Sequence, residues 1–209
     1  MRLHDYCASG NCYKVRLLLA LTGTTYERVP VDIFAGDTLG DGFAHLNPLR
    51  ETPVLELDDG AVVTQSNAIL WLLAQNTPYL PESALGTAQA LQWMFFEQER
   101  LMPGVGGVRF RLLTGRPVPP GRVELGRDAL GVLDAHLGDR AFLVGPRCSL
   151  ADISLFAYAH VAEDAGFALA DFPALASWLE RVTREPGFVN DLAPYPPNAR
   201  AGAGTSIYG

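Results

Sequence analysis

Thr52-Pro53-Val54-Leu55-Glu56-Leu57-Asp58-Asp59-Gly60-Ala61-Val62-Val63-Thr64-Gln65-Ser66-Asn67-Ala68-Ile69 is the stretch on which the fold turns. Two short β-rich runs, 52–57 and 61–64, flank Asp58-Asp59-Gly60. An Asp-Gly turn between such runs predicts a β-hairpin. Gln65-Ser66-Asn67 then opens an apolar run from Ala68 to Ala74, with Ser66 placed to cap a helix. The proline at the head of the first run cannot donate to a strand ladder, so it belongs at a strand start or an exposed edge.

Upstream, residues 2–6 alternate as a short strand does. Ser9-Gly10-Asn11-Cys12 leads into the apolar run Tyr13-Lys14-Val15-Arg16-Leu17-Leu18-Leu19-Ala20-Leu21, closed by Gly23. Cap residue, apolar run and glycine stop predict a helix starting at or just after Ser9. Tyr26 to Asp32 reads as a second strand, and Ala35 to Gly42 as a loop. The first half is therefore β-α-β followed by ββα, the size of one small α/β domain. Asn76 to Ser83 holds two prolines and reads as a linker. Beyond it every periodic segment is helical: Leu85 to Leu113 in one or two pieces, Val123 to Leu137, Leu150 to Ala165 and Ala174 to Arg184. Ser149-Leu150-Ala151-Asp152 makes a capping box, with Asp at the position that Glu usually takes. Residues 195–209 are too rich in Pro, Gly and Ala to hold a helix. The predicted organisation is an α/β domain over 1–76, a linker over 77–84, and an all-helical domain with an irregular tail over 85–209.

Apolar residues are 48% of the 209 and charged residues 19%, enough for a packed core. The net charge of −7 argues against a nucleic-acid partner, which needs Lys and Arg against phosphate. No charge-free apolar run reaches membrane-spanning length, and the N-terminal residues lack the apolar core of a secretion signal. A cytoplasmic location is expected. Cys7, Cys12 and Cys148 form no CxxC, and no His/Cys cluster has metal spacing, so neither a disulfide framework nor a metal site is expected.

Three segments carry possible chemistry. A helix start at Ser9-Gly10-Asn11-Cys12 offers free N–H groups and partial positive charge, which stabilise an anion such as a thiolate. That thiolate is either Cys12 or the sulfur of a bound thiol, and Ser9 serves equally well as a plain cap. Thr52-Pro53-Val54 is either an ordinary strand start or, with a free edge at Val54, a place for a peptide-like ligand to pair. Gln65-Ser66 either caps its helix or leaves the N–H groups to a carboxylate.

Taken together, in this order and spacing, the segments resemble the glutathione transferase superfamily. The resemblance rests on Ser9-x-Asn11-Cys12-Tyr13-Lys14-Val15-Arg16, Asn47-Pro48 ahead of Thr52-Pro53-Val54-Leu55, and Gln65-Ser66-Asn67-Ala68-Ile69. Trp93-Met94-Phe95-Phe96-Glu97-Gln98 and Ser149-Leu150-Ala151-Asp152-Ile153 extend it into the second half. It implies a thioredoxin-like α/β N-terminal domain plus an all-α C-terminal helical-bundle domain, glutathione as co-substrate, a small hydrophobic electrophile as second substrate, and a homodimer. By the same resemblance, Gln65 and Ser66 hold the γ-glutamyl carboxylate, and Val54 pairs with the cysteinyl backbone beside Thr52 and a cis Pro53. The sulfur lies near Ser9, Asn11 and Cys12. Ser9 is the favoured hydroxyl donor, Asn11 assists, and Cys12 forms a mixed disulfide in other branches. Phe95, Phe96, Met102, Arg109 and Phe110 are candidates for the second-substrate pocket or for plain core. Glu97 and Gln98 are candidates for reaching a neighbouring subunit's glutathione. Arg50-Glu51 departs from the family pattern, which places a basic or amide residue just before the strand proline to hold the glycine carboxylate. Arg50 is the candidate replacement, and Glu51 opposes binding. Two alternatives follow: a glutathione-dependent disulfide or peroxide reductase using Cys12, and a binding or scaffold protein without catalysis.

Overall fold

The structure, a computed structural model, describes residues 1–208. Four strands form one mixed sheet in the order β2-β1-β3-β4: β1 (Arg2–Asp5), β2 (Glu27–Pro30), β3 (Val54–Glu56) and β4 (Val62–Thr64). β1 runs parallel to β2 and antiparallel to β3, and β3 runs antiparallel to β4. The predicted hairpin is present, closed by Leu57 N–H donating to Ala61 O at 2.8 Å, with Gly60 at φ 84°. α1 (Gly10–Leu21) crosses between the parallel strands. α2 (Asp41–Leu46) and α3 (Ser66–Leu73) complete the first half, a thioredoxin-like arrangement. α2 begins inside the expected loop, Ala35 to Gly42, and runs on through residues for which the sequence predicts no element. Six residues are too few for a helical period to show, and only Phe43 of the six is buried.

The second half is helical: α4 (Ala84–Phe96), α5 (Gly107–Thr114), α6 (Arg122–Leu137), α7 (Leu150–Ala159) and α8 (Pro173–Thr183). α4 and α5 are joined without a break by a wider, π-helical stretch, Glu97–Gly106, that contains Pro103. An α-helical turn would press the proline ring on the carbonyl four residues back, and the wider turn relieves that contact. α7 ends at Ala159, short of the predicted Ala165, and a separate 3-10 turn covers Glu163–Ala165. Its every residue is buried, and it packs on α1, α4 and α8. The capping box forms as read. Asp152 Oδ2 accepts from the Ser149 N–H and hydroxyl, while Oδ1 accepts from Leu143 N–H and from Trp178 Nε1–H, each at 2.8 to 2.9 Å.

The tail from Asp191 to Tyr208 lies back across both halves. Ala201 N–H donates to Thr114 O and Thr205 N–H to Phe34 O, and Ala199 is fully buried. Among the described residues no helix is long and apolar enough to cross a membrane.

Candidate functional site

Tyr6 opens the turn that follows β1, and Ser9 is the N-cap of α1. Ser9 N–H donates to Tyr6 O at 3.0 Å, and Tyr6 N–H reaches Cys12 Sγ at 3.4 Å, so the turn is held from both sides. Ser9 caps α1 through Oγ, which accepts from Cys12 N–H at 3.3 Å. That bond uses one lone pair, so the hydroxyl hydrogen stays free to donate. Ser9 and Asn11 both face a cavity of about 280 Å³ that lies between the α1 start, the Met102–Arg111 stretch, α7 and the tail.

Cys12 does not face it. Its side chain is fully buried beneath the turn, and burial pushes its thiol up to about 12. The expectation of a catalytic Cys12 is corrected on this point: the helix start that favours a thiolate is outweighed by complete desolvation. Its role is to receive the Tyr6 N–H.

Asn11 is oriented by its neighbours. Lys14 Nζ lies 3.0 Å from its Oδ1, and Ser66 Oγ donates to the same oxygen at 3.1 Å. An ammonium only donates, so the atom beside it must be the amide oxygen, and the amide NH2 is left for the cavity. Lys14 is fully buried. It also reaches Ser66 Oγ at 3.3 Å and pairs with the fully buried Glu97 at 2.8 Å. Burial lowers the Lys14 pKa, against the pull of Glu97. Asn67 and Gln98 amides and the Ser154 hydroxyl also converge on Glu97 Oε2. Glu97 is fully enclosed in the chain, its Oε1 without a partner among the described residues, and is corrected as a candidate for reaching a neighbour. Gln98 lies at the edge of another, apolar cavity with Gln65, Trp71 and Phe95.

The α3 start differs from its sequence reading. Gln65 occupies the cap position at φ 69° and makes no side-chain cap bond, and Ser66 is the first helical residue. The Ser66 hydroxyl goes to Asn11 and Lys14, so the first-turn N–H groups of α3 keep no side-chain partner. A non-glycine residue at positive φ is strained and is tolerated where surroundings enforce it.

The Thr52–Pro53 peptide bond is cis. Val54 is fully buried between His4 of β1 and Thr64 of β4, so the expected free edge at Val54 is corrected. The free backbone lies two residues earlier, at Thr52, whose N–H and C=O bond to no described residue. Arg50 is corrected too. Its guanidinium donates to the carbonyls of Thr38, Leu39 and Gly40 and so holds that loop. Glu51 keeps its side chain at this edge, with only its carbonyl engaged, by Asn47 Nδ2.

Of the five second-pocket candidates, Met102, Arg109 and Phe110 line the cavity with Ser9 and Asn11. Phe95 and Phe96 do not; they line a surface groove against α6, and Phe95 is 71% exposed. Helical spacing places 95 and 96 away from 102, 109 and 110 once the π-helical stretch shifts the phase. Arg109 is buried and donates to Asp164 at 2.9 Å, with its guanidinium 5.3 Å from the Tyr195 ring centre. The sequence reading missed Tyr6, Tyr158, Tyr195 and Tyr208, which also line the cavity. Two of them sit in or beyond segments that carry no periodic signal. Tyr158 fits between Gly10 and Gly106, where a Cβ would come within 2.6 Å and 2.4 Å of its ring.

The sequence profile of the glutathione S-transferase N-terminal domain matches residues 8–76, and that of the C-terminal domain matches residues 122–186. The chain is similar to a possible glutathione S-transferase from Rhodopseudomonas palustris, with 40% identity and a TM-score of 0.86 over 92% of this chain and 97% of that one. It is 27% identical to a maleylacetoacetate isomerase from Pseudomonas aeruginosa, over 90% of this chain and 93% of that protein. It is 29% identical to an elongation factor 1-gamma from Artemia salina, over 78% of this chain but only 40% of that protein.

Proposed function

The chain belongs to the glutathione S-transferase family, and from that premise we propose that it binds glutathione and transfers its thiol to a small hydrophobic electrophile. The observation that carries this reading is the shared orientation of Ser9 and Asn11 into one cavity, with the Asn11 oxygen already taken by Lys14 and Ser66. Two hydrogen-bond donors at a helix start stabilise a sulfur anion there.

The rest of the tripeptide follows the open hydrogen-bonding groups. The γ-glutamyl carboxylate takes the unpartnered N–H groups at the α3 start beside Gln65 and Ser66. The cysteinyl backbone pairs with the free N–H and C=O of Thr52, beside Pro53 and Val54. The thiol loses its proton to solvent, Ser9 Oγ–H and the Asn11 amide hold the sulfur anion, and sulfur attacks the electrophile over Met102, Arg109 and Phe110. On this reading residues 77–84 join a glutathione domain, 1–76, to a helical domain, 85–209. The exposed Phe95 and Trp71 beside Gln65 and Gln98 meet a second copy in a cytoplasmic homodimer.

One observation favours a second reading. Arg50, the cation next to Glu51 in sequence, is committed to the 38–40 loop. A carboxylate beside the glycine end of glutathione repels it by about 1 kcal/mol at 4 Å in water. A non-catalytic binding protein is the outcome if that repulsion dominates. The buried Cys12 gives no such support to disulfide or peroxide reduction.

Calorimetric titration of glutathione into wild type, Ser9→Ala and Glu51→Gln decides between the two. Binding by wild type, tighter in Glu51→Gln, with thiol transfer reduced about a hundredfold in Ser9→Ala, supports the transferase. Absence of binding by wild type, restored in Glu51→Gln, replaces it with the binding-protein reading.

A further inference from the structure

Arg109 and Arg111 both line the cavity that Ser9 and Asn11 face, and no Asp or Glu among the described residues lines it. The two guanidiniums differ in what balances them. Arg109 is buried, and Asp164 meets its charge at 2.9 Å. Arg111 is half-buried and pairs with no carboxylate among the described residues. Its side chain makes one bond, from Nη1 to the Pro117 carbonyl at 3.0 Å. A carbonyl satisfies one hydrogen without cancelling the charge. The Nε and Nη2 hydrogens are left over, and they form the edge of a guanidinium that takes a carboxylate side-on through two parallel bonds. The root of the side chain is fixed, because Arg111 lies in the last turn of α5 and its carbonyl accepts from Arg116 N–H at 2.8 Å. Away from this charge the cavity offers Ile33, Met102, Phe110, Val161 and Leu192. The chain as a whole carries −7 and repels anions at a distance, so an unbalanced cation beside apolar walls reverses the field locally.

We propose that Arg111 sets the specificity for the second substrate, holding a carboxylate at one end of an electrophile whose body is apolar. The inference rests on the thiol-transfer reading above and narrows its electrophile to an amphipathic anion. The apolar body lies on Met102 and Phe110, and the carboxylate meets the Nε and Nη2 edge. With an arylmethyl halide, sulfur bonds to the benzylic carbon and the halide leaves with the electron pair of the broken bond. The carboxylate takes no part in that step, so Arg111 acts by binding and orientation alone. A bland role is also open to Arg111, since a cation suits the negative end of α5. That role stabilises the helix and is blind to the charge of the substrate, which separates the two.

The test compares S-(4-carboxybenzyl)glutathione with its uncharged twin, S-(4-carbamoylbenzyl)glutathione, by calorimetry on wild type, Arg111→Gln and Arg111→Lys. Steady-state rates with 4-(chloromethyl)benzoate and 4-(chloromethyl)benzamide, each corrected for the uncatalysed reaction, accompany it. Wild type should bind the carboxylate conjugate about tenfold more tightly than the amide. That ratio should fall to near one in Arg111→Gln, stay partly intact in Arg111→Lys, and shrink for wild type in high salt. The kcat/KM ratio of the two chlorides should follow it, carried by KM. A wild-type binding ratio near one overturns the proposal. So does a ratio that persists in Arg111→Gln, including the case where both conjugates weaken equally, which leaves Arg111 the helix-end role only. Either result leaves glutathione binding intact. A wild type that fails to bind glutathione itself removes the underlying reading and this one with it.

Discussion

Lys14 and Glu97 face each other at 2.8 Å with no exposed surface on either side chain. Removing one member of such a pair leaves an uncompensated buried charge and costs about 3–5 kcal/mol. Lys14→Met should therefore unfold at markedly lower urea. The double variant Lys14→Met/Glu97→Gln should recover much of the loss, and urea titration of wild type, Lys14→Met and the double variant checks this. The Lys14 loss also frees the Asn11 amide to flip, so thiol transfer should fall in both variants. His160 offers a second residue-scale prediction. Buried against Phe156, it donates Nδ1–H to Phe156 O, and burial holds its pKa near 4 against an ordinary 6.5. A depressed pKa means that the folded chain resists protonation, so stability is full above about pH 6.5 and is lost as pH falls towards 4. The drop between pH 7 and pH 5 should be about 2 kcal/mol at 1.36 kcal/mol per unit, and His160→Leu should remove that part of the slope. Ser9 and Asn11, which share one cavity, were legible as candidates because they sit in a motif. The single lysine was not, because burial and partners depend on Glu97, far away in sequence. The Tyr6 phenol, buried without a hydrogen-bond partner among the described residues, was hidden for the same reason.

At the scale of elements, two glycines of α6 make opposite predictions. Gly126 packs on Gly104 of the π-helical stretch, where an added Cβ would lie 2.4 Å from the Gly104 carbonyl oxygen. Nothing lies within 4 Å of a Cβ built on Gly131. Gly126→Ala should destabilise by about 1–3 kcal/mol through overpacking. Gly131→Ala should stabilise by about 0.5–1 kcal/mol, since alanine is the better helix former. Thermal melts of the two single variants read both signs. The hairpin, α1 and the capping box were readable because turn residue, cap and period are all local signals. α2 escaped because six residues show no period, and the π-helical stretch escaped because its phase is set by packing around Pro103. The α3 start was located correctly but its cap was misassigned, since Ser66 turns to Asn11 and Lys14 on α1.

At the scale of the whole molecule, the tail joins the two halves over the cavity. Asn198 Nδ2 donates to Asp32, and Arg16 of α1 pairs with Asp191 at 2.9 Å. Composition showed that this segment is not helical, but gave no sign of where an irregular chain would settle. The order of a sheet-bearing half and a helical half was legible from the change of period near residue 84. Phe95 reads in the sequence as pocket or core and instead lies, with the exposed Trp71, on a face outside both. Phe95→Glu should convert a dimer to a monomer in analytical ultracentrifugation while leaving the circular dichroism spectrum intact; a dimer that persists shows that the contact lies elsewhere. On the proposed reading this chain binds glutathione and holds its sulfur as an anion between Ser9 and Asn11. Ultraviolet titration of the bound thiol against pH tests it most directly. A thiolate signal should appear well below the free thiol value of about 8.5, and should shift back up in Ser9→Ala and in Asn11→Ala. A bound thiol that titrates like the free one, unchanged by either substitution, would contradict it.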